Sequence, residues 1–157
     1  MNIYDILKQN NIKYKEIEHK KITTIEEAKK LNIKKILNGI ECKNLFVKSK
    51  NNYYIILTDA SKKIDLKEIA KQINQNRFSF ANENELKEIL NLEIGSVTPL
   101  GIINDTENKV TLLLDKELEK KEILVHPNIN TKTMLIKFND LIKIIENTNH
   151  KYYLINT

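Results

Sequence analysis

The sequence is poor in the residues that mark several common kinds of small domain. It contains one cysteine, Cys42, so an internal disulfide is excluded. With three histidines and no second cysteine it offers no zinc-ligand cluster, and we expect neither a structural metal nor another cofactor. Because no activating partner for Cys42 is recognisable, we interpret it as a small buried thiol and not as a nucleophile.

Long apolar runs and a signal peptide are also missing. No stretch approaches the length that is needed to cross a bilayer. We therefore expect a soluble, cytoplasmic protein without a membrane partner. The chain has 157 residues and shows no repeat, linker or break in composition, so we expect a single domain over residues 1–157.

The charge is basic but dispersed. There are 26 basic and 21 acidic residues, which gives a formal net charge of +5, and every basic residue except Arg77 is a lysine. The lysines occur in short separate runs, and an A/T-rich genome would produce the same bias toward lysine and asparagine. The charge therefore gives only weak support for a nucleic-acid partner.

The spacing of apolar residues changes repeatedly along the chain and predicts alternating helices and strands. Helices are expected over 2–10, 24–31, 65–74, 82–92 and 138–149, with Thr24, Asp65 and either Asn82 or Asn84 as caps. Strands are expected over 12–19, 44–50, 53–59, 78–81, 109–115, 122–126, 131–137 and 151–156. Asn51 and Asn52 predict a hairpin between two of these strands. The spacing is too irregular for a doubly wound sheet and favours a mixed sheet that is flanked by helices.

The segment GSVTPLG, residues 95–101, holds two of the three glycines and one of the two prolines. Glycine permits backbone geometry that other residues avoid, and Pro99 stiffens the path between the two glycines. The segment is either a rigid connection or a loop whose N–H groups near Gly101 donate to an oxygen of a ligand, as in an oxyanion hole. It does not have the form of a P-loop, so a nucleoside triphosphate site gains no support.

The segment LVHPNINTKT, residues 124–133, places a histidine beside the other proline. The residue before a proline is driven toward extended geometry, and Asn128 and Asn130 favour a turn. We therefore expect a strand that ends at His126, with the imidazole at the rim of a sheet, where binding groups are often held. A simple turn with an incidental histidine is the alternative.

Lys43 and Asn44 stand at the start of an apolar strand. Lysine offers a point charge for a phosphate or a carbonyl, and asparagine offers both a donor and an acceptor. In a chain this rich in lysine and asparagine, such a pair by itself says little. It becomes informative only because GSVTPLG and LVHPNINTKT follow it in that order along the chain.

Three ordered blocks together resemble the YbaK-like family of aminoacyl-tRNA editing domains: KNLFVKSKNNYYIIL, GSVTPLGIIND followed by KVTLLLD, and HPNINTKT. Within that family the chain is most similar to the free-standing prolyl-tRNA editing proteins, including the PrdX-like members. The resemblance covers essentially the whole chain. It implies an α/β fold, the YbaK/prolyl-tRNA synthetase-associated domain fold, with a mixed, partly barrel-like sheet flanked by helices.

The resemblance also implies which residues act. The family's KN-LF, G-x-V-x-P and HP-x-x-N motifs match this chain at Lys43, Asn44, Gly95, Val97, Pro99 and His126. The implied catalytic residues are Lys43, Asn44, Gly101 and His126. The implied substrate-binding residues are Ile22, Ile25, Ala28, Val97, Thr98 and Pro99. His126 is expected to hold the aminoacyl end, without acting as a nucleophile or a metal ligand.

The implied reaction is hydrolysis of the ester in mischarged tRNA(Pro), with alanyl-tRNA(Pro) as the expected substrate. An aminoacyl ester beside a ribose hydroxyl needs no strong protein nucleophile, which agrees with the absence of a recognisable Ser-His-Asp motif. The expected partner is the acceptor end of tRNA(Pro), with prolyl-tRNA synthetase as a further candidate partner and no role for DNA. Two alternatives stay open. One is a deacylase for another small acyl group, cysteinyl or seryl, and the other is a non-catalytic regulatory module that binds tRNA or a synthetase.

Overall fold

The computed structural model describes residues 2–157, over which helices and strands alternate irregularly. The α-helices are α1 (Ile3–Gln9), α2 (Ile25–Lys30), α3 (Ile33–Leu37), α4 (Leu66–Gln72), α5 (Glu83–Leu90) and α6 (Phe138–Asn147). The strands are β1 (Lys15–Glu18), β2 (Cys42–Ser49), β3 (Asn52–Asp59), β4 (Ser79–Phe80), β5 (Val110–Asp115), β6 (Glu122–Val125), β7 (Lys132–Lys137) and β8 (Tyr152–Ile155). Short 3-10 helices cover Pro99–Asn104 and Lys116–Leu118.

The strands form two sheets, one with the order β4-β2-β3-β5-β8 and one with the order β1-β7-β6. The pairs β3-β5 and β5-β8 are parallel, and the other pairs are antiparallel. Ile40 joins the two sheets by a bridge to Ile123, just before β2 begins. The prediction of an α/β fold with mixed strand pairing is confirmed, and within residues 2–157 the strands form no closed barrel.

The central strands β3 and β5 are buried on both faces. Because successive side chains in a strand point to opposite faces, alternate residues of each strand enter different apolar clusters. Ile55, Leu57, Leu112 and Leu114 pack with residues of α1, α5 and α6. Ile56 and Leu113 pack on the other face, with Ile69 and Ala70 of α4. This two-sided burial explains the nearly continuous apolar runs of these strands. Each large apolar side chain that is buried in this way contributes roughly 1.5–3 kcal/mol to the free energy of folding.

The helices α2 and α3 lie beside the smaller sheet, over a third cluster of Ile22, Ile33, Leu37, Leu124 and Leu135. Gly39 allows this close approach, since a Cβ at that position would lie 2.3 Å from a methyl carbon of Leu135. The helix α2 itself has no fully buried residue. It is therefore held mainly through the segments on either side of it.

Local sequence signals place most helix starts correctly. Thr24 caps α2 by accepting from the N–H of Glu27, and Asp65 caps α4. Asn82, and not Asn84, caps α5. The predicted hairpin joins β2 and β3. Among residues 2–157 no helix is long and apolar enough to cross a membrane.

Two segments differ from the sequence expectations. The helix α3 was not predicted, because a helix of five residues has too few turns to show a clear apolar period. The second half of the GSVTPLG segment enters the 3-10 helix that begins at Pro99, and Leu100 and Gly101 are buried there. The second half of the segment is therefore packed into the core, whereas its first residue, Gly95, is exposed in a loop.

Candidate active site

A cavity of about 220 Å³ opens where the two sheets meet. The start of β2, the end of β6, the segment around α2 and the Gly95 loop each supply part of its wall. Its lining consists of Ile22, Thr23, Thr24, Ile25, Ala28, Ile33, Glu41, Cys42, Lys43, Asn44, Gly95, Val97, Leu124, Val125, His126 and Thr133. Segments from opposite ends of the sequence thus meet at one place.

Seven of the ten predicted site residues line this cavity: Ile22, Ile25, Ala28, Lys43, Asn44, Val97 and His126. Thr98, Pro99 and Gly101 do not. The N–H of Gly101 already donates to the carbonyl of Thr98, at 3.1 Å. The glycine at the cavity is Gly95, which has a φ of +80° in the left-handed region that suits glycine.

The apolar part of the wall is tied to the turn that follows His126. The N–H of Ile22 donates to the carbonyl of Asn130, at 2.9 Å, and Ile22 is almost fully buried. Ala28 packs against the same apolar cluster from α2. Ile22, Ile25 and Ala28 therefore supply apolar side chains to the lining of the cavity, and Lys43, Asn44 and His126 supply polar ones.

His126 follows directly after β6, one residue beyond the end of the strand. Its Nδ1 lies 2.9 Å from the carbonyl oxygen of Lys132. A carbonyl oxygen only accepts, so Nδ1 carries the proton and Nε2 keeps a lone pair. Burial lowers the pKa of His126 below its ordinary value, the bond to Lys132 opposes this shift, and nearby His19 adds to it. At neutral pH the ring is thus an uncharged acceptor.

Thr98 holds the backbone of His126 in place through a hydrogen bond. Its Oγ1 donates to the carbonyl of His126, at 2.8 Å, and Thr98 is fully buried. The side-chain amide of Asn128 donates to the carbonyl of Leu100, at 3.3 Å. The GSVTPLG segment and the turn after His126 are therefore fastened to each other, which restricts where the imidazole can lie.

Lys43 and Asn44 line the cavity from β2. The ammonium of Lys43 donates to the carbonyl of Lys62, whose own side chain pairs at 2.8 Å with the fully buried Asp115. The Oδ1 of Asn44 is buried and accepts no hydrogen bond from residues 2–157. Leaving a buried acceptor unpaired costs about 1–3 kcal/mol, so a donor on a ligand would be stabilised at this position.

Sequence reasoning missed Glu41, which lines the cavity beside Cys42. A single glutamate before a strand carries no signal of function in a sequence with this many charges. Burial, together with the carboxylates of Asp59, Asp115 and Glu41, raises the pKa of the Cys42 thiol. The thiol therefore stays protonated, as expected for a structural cysteine and not for a nucleophile.

A second, more open groove of about 280 Å³ adjoins the cavity and shares Asn44, Gly95 and Val97 with it. Phe80 and Ile94 line this groove and are 62% and 59% exposed. Exposed large apolar side chains that lie together are typical of an interaction surface or a ligand-binding groove.

Comparisons with known proteins agree with this geometry. Residues 19–144 match the model of the aminoacyl-tRNA editing domain. The chain is 36% identical over 143 residues to the prolyl-tRNA editing protein ProX of Acetoanaerobium sticklandii, with 89% of this chain and 86% of that protein covered. It is 34% identical over 150 residues to the prolyl-tRNA synthetase associated domain-containing protein 1 of Danio rerio, with 93% and 80% covered.

A solved structure of "a putative trans-editing enzyme for prolyl tRNA synthetase" has the same fold. It superposes with a TM-score of 0.71 at 15% identity, with 99% of this chain and 94% of that chain covered. The match of the family model over most of the sequence and the identity to the curated relatives lead to the same assignment. The chain belongs to the aminoacyl-tRNA editing domain family.

Proposed function

We propose that this protein hydrolyses the ester bond of mischarged tRNA(Pro) in trans, with alanyl-tRNA(Pro) as its preferred substrate. Membership of the editing family makes it an aminoacyl-tRNA deacylase. The relative named a prolyl-tRNA editing protein supports tRNA(Pro) as the tRNA. The observation that carries the proposal is the meeting of Lys43, Asn44 and His126 in one small cavity.

The size of the cavity supports a small acyl group. Ile22, Ile25 and Ala28 form an apolar wall that suits the single methyl group of alanine. Attraction to one added methylene discriminates by only about 1–3 kcal/mol, so rejection of the larger prolyl ring has to come from steric exclusion. Serine and cysteine differ from alanine by one heavy atom, and a panel of charged tRNAs decides among the three.

In the proposed mechanism, water adds to the acyl carbon and the ester C–O bond breaks. The ribose oxygen leaves with a proton, and free amino acid is released. Nε2 of His126 accepts a hydrogen bond from the ribose hydroxyl or from the attacking water, because it is the ring nitrogen with a lone pair. Lys43 turns from the Lys62 carbonyl to the terminal phosphate or the acyl oxygen, where its charge stabilises negative charge.

We further propose that the adjoining groove takes the terminal adenosine of the tRNA. The groove shares Asn44, Gly95 and Val97 with the acyl cavity, so an adenosine there would keep its ester within reach of the cavity. The exposed ring of Phe80 offers a face for stacking, which is worth about 1–3 kcal/mol per base.

The acceptor end of tRNA(Pro) is thus the proposed partner, and prolyl-tRNA synthetase is a second candidate that could supply tRNA identity. The net charge of +5 would favour binding of the tRNA backbone, and this binding should weaken as salt concentration rises. Because charged tRNA is used where translation takes place, we propose a cytoplasmic location.

The direct test is to incubate the purified protein with radiolabelled alanyl-, seryl-, cysteinyl- and prolyl-tRNA(Pro). We expect release of alanine well above the rate in buffer, and release of proline at the buffer rate. If serine or cysteine were released fastest, the preferred substrate would be seryl- or cysteinyl-tRNA(Pro), and the protein would still be a deacylase. No release from any of the four would reject the deacylase proposal and favour a binding module.

A further inference from the structure

We propose that Glu41 binds the α-ammonium group of the aminoacyl ester and thereby restricts the site to substrates with a free amino group. This inference rests on the proposed function, because the ammonium belongs to an aminoacyl ester that is seated in the cavity. It gives a role to a lining residue that the sequence did not point to.

The first observation is the position of Glu41. It lies immediately before β2, where its carbonyl accepts from the N–H of Ala60, at 2.8 Å, so its backbone is held in place. Among residues 2–157 it is the only acidic residue that lines the cavity. Glu41 therefore lines the same cavity as Lys43, Asn44 and His126.

The second observation is that this carboxylate has a buried oxygen without a partner. Oε2 of Glu41 is inaccessible to solvent and forms no hydrogen bond with residues 2–157, and Glu41 forms no ion pair within that part of the chain. Burying a charged oxygen without compensation is unfavourable, so buried carboxylates are normally paired. A cationic group on a ligand would remove this penalty.

The other polar groups of the cavity do not neutralise Glu41. Burial lowers the pKa of His126, so its ring is uncharged at neutral pH. The ammonium of Lys43 donates to the carbonyl of Lys62. Neither group pairs with the carboxylate of Glu41, which forms no ion pair within residues 2–157, and an ammonium on a ligand would be the complementary charge.

An aminoacyl ester presents three chemically different groups around its α-carbon: a side chain, an ammonium and the ester carbonyl. The cavity offers a matching set, with the apolar wall around Ile22, the carboxylate of Glu41 and the polar groups of Lys43 and Asn44. An ester of a hydroxy acid lacks the cation, and an N-acylated ester lacks the cation and adds bulk. Both should be poorer substrates than the free aminoacyl ester.

The experiment compares alanyl-tRNA(Pro) with lactyl-tRNA(Pro), in which a hydroxyl replaces the ammonium. A hydrogen bond to a charged group is worth enough to make the wild-type kcat/KM for the alanyl ester roughly tenfold to hundredfold higher than for the lactyl ester, after each value is divided by the uncatalysed rate of that ester in buffer. In Glu41→Gln we expect this corrected ratio to fall to near one, through loss of activity on the alanyl ester. The control Glu88→Gln changes an exposed glutamate outside the cavity and should keep the wild-type ratio.

Two results would overturn the inference. A wild-type ratio near one, after division by the uncatalysed rates in buffer, would show that the ammonium is not recognised. An equal loss on both esters in Glu41→Gln would show that Glu41 acts through Lys43 or the local fold. The first result needs only the wild-type protein. The inference can therefore be tested even if the Glu41→Gln variant folds poorly.

Binding of adenosine that carries a 3′-alanylamido or a 3′-lactylamido group, measured by calorimetry, separates this inference from the proposed activity. The amides cannot be hydrolysed as esters, so the measurement reports recognition alone. Tighter binding of the alanyl compound that is lost in Glu41→Gln, in a protein without deacylase activity, would reject the proposed function and keep the ammonium site. Hydrolysis of both esters at equal rates, with equal binding of both amides, would keep the function and reject the ammonium site.

Discussion

His126 and His150 differ in how many of their ring nitrogens form hydrogen bonds within the protein. His150 is buried and uses both ring nitrogens, one 2.9 Å from Asp105 Oδ2 and the other 2.8 Å from Thr148 Oγ1. Among residues 2–157, His126 finds a hydrogen-bond partner only for Nδ1, and Nε2 keeps a lone pair at a residue that lines the cavity. A ring with both nitrogens paired cross-links the fold, whereas a ring with one nitrogen unpaired can bind something else.

The carboxylates of the two regions differ in the same way. Asp105 accepts from His150 and also from the backbone N–H groups of Lys109 and Val110. Burial alone would raise the pKa of Asp105, but these hydrogen bonds lower it overall. Glu41 has a buried oxygen that accepts from no donor among residues 2–157. The satisfied carboxylate of Asp105 therefore stabilises the interior, whereas the unsatisfied oxygen of Glu41 belongs to a residue that lines the cavity, where a ligand could supply the donor.

The largest effect on stability should follow from breaking the satisfied region. Asp105→Ala leaves two backbone N–H groups and the imidazole of His150 without their acceptor, so the free energy of unfolding should fall by about 3–5 kcal/mol. Urea unfolding measures this change. The control Glu107→Ala removes an exposed pair with Lys109 and should change stability by less than about 1 kcal/mol. Equal losses in the two variants would contradict the structural role of Asp105.

The largest effect on activity should follow from Lys43→Ala, at the cavity. Loss of the cation should lower deacylation of alanyl-tRNA(Pro) by about a hundredfold or more while the unfolding transition stays close to that of the wild type. Lys48→Ala is the matched control, since Lys48 lies on the same strand but pairs with Glu85 outside the cavity. Undiminished hydrolysis by a folded Lys43→Ala protein would exclude Lys43 from the mechanism.

The pH dependence of kcat/KM should report on His126. Protonation of Nε2 removes its lone pair, so activity should be full at higher pH and be lost as pH falls through the pKa of His126. Because burial lowers that pKa, the acid limb should lie below pH 6.5. The limb should be absent in His126→Asn, after subtraction of buffer hydrolysis. Persistence of the same limb in the variant would assign it to another group.

The smallest effect should come from the groove beside the cavity. Phe80→Ala should raise KM roughly tenfold and leave kcat nearly unchanged, because a stacking surface contributes to binding and not to the chemical step. Tyr153→Ala is the control, since Tyr153 is also half exposed but does not line either cavity. An unchanged KM in Phe80→Ala would place the terminal adenosine elsewhere.

Sequence reasoning recovered the local features of the fold. The cap residues Thr24, Asp65 and Asn82 could be predicted from the sequence, because each side chain accepts from a backbone N–H only two or three positions away. The strands β3 and β5 were predicted from their apolar runs, and the structure adds that both are buried on two faces. The helix α3 was not readable, since five residues are stable as a helix only through tertiary packing, here of Ile33 and Leu37.

For the candidate site, the order of the motifs along the chain identified candidate residues. It did not show which of these residues lie together at the cavity. The three ordered motifs pointed to Lys43, Asn44 and His126, and all three line the cavity. The same motifs pointed to Gly101, whose N–H is already bonded to Thr98. Glycine permits close approach of a ligand or of the protein itself, and only packing distinguishes the two cases. At Gly101 a Cβ would lie 2.7 Å from Leu92.

The chain alone thus carries the identity of the family, the helix caps and the alternation of helices and strands, because these depend on neighbouring residues or on motif order. Whether the second ring nitrogen of a histidine is paired or lies at a cavity depends on residues far away in the sequence. His150 meets Asp105, 45 positions earlier, and His126 enters a cavity with Glu41 from the other end of the chain. Folding decides such pairings because burial and hydrogen bonding act over a few ångströms, whatever the separation along the chain.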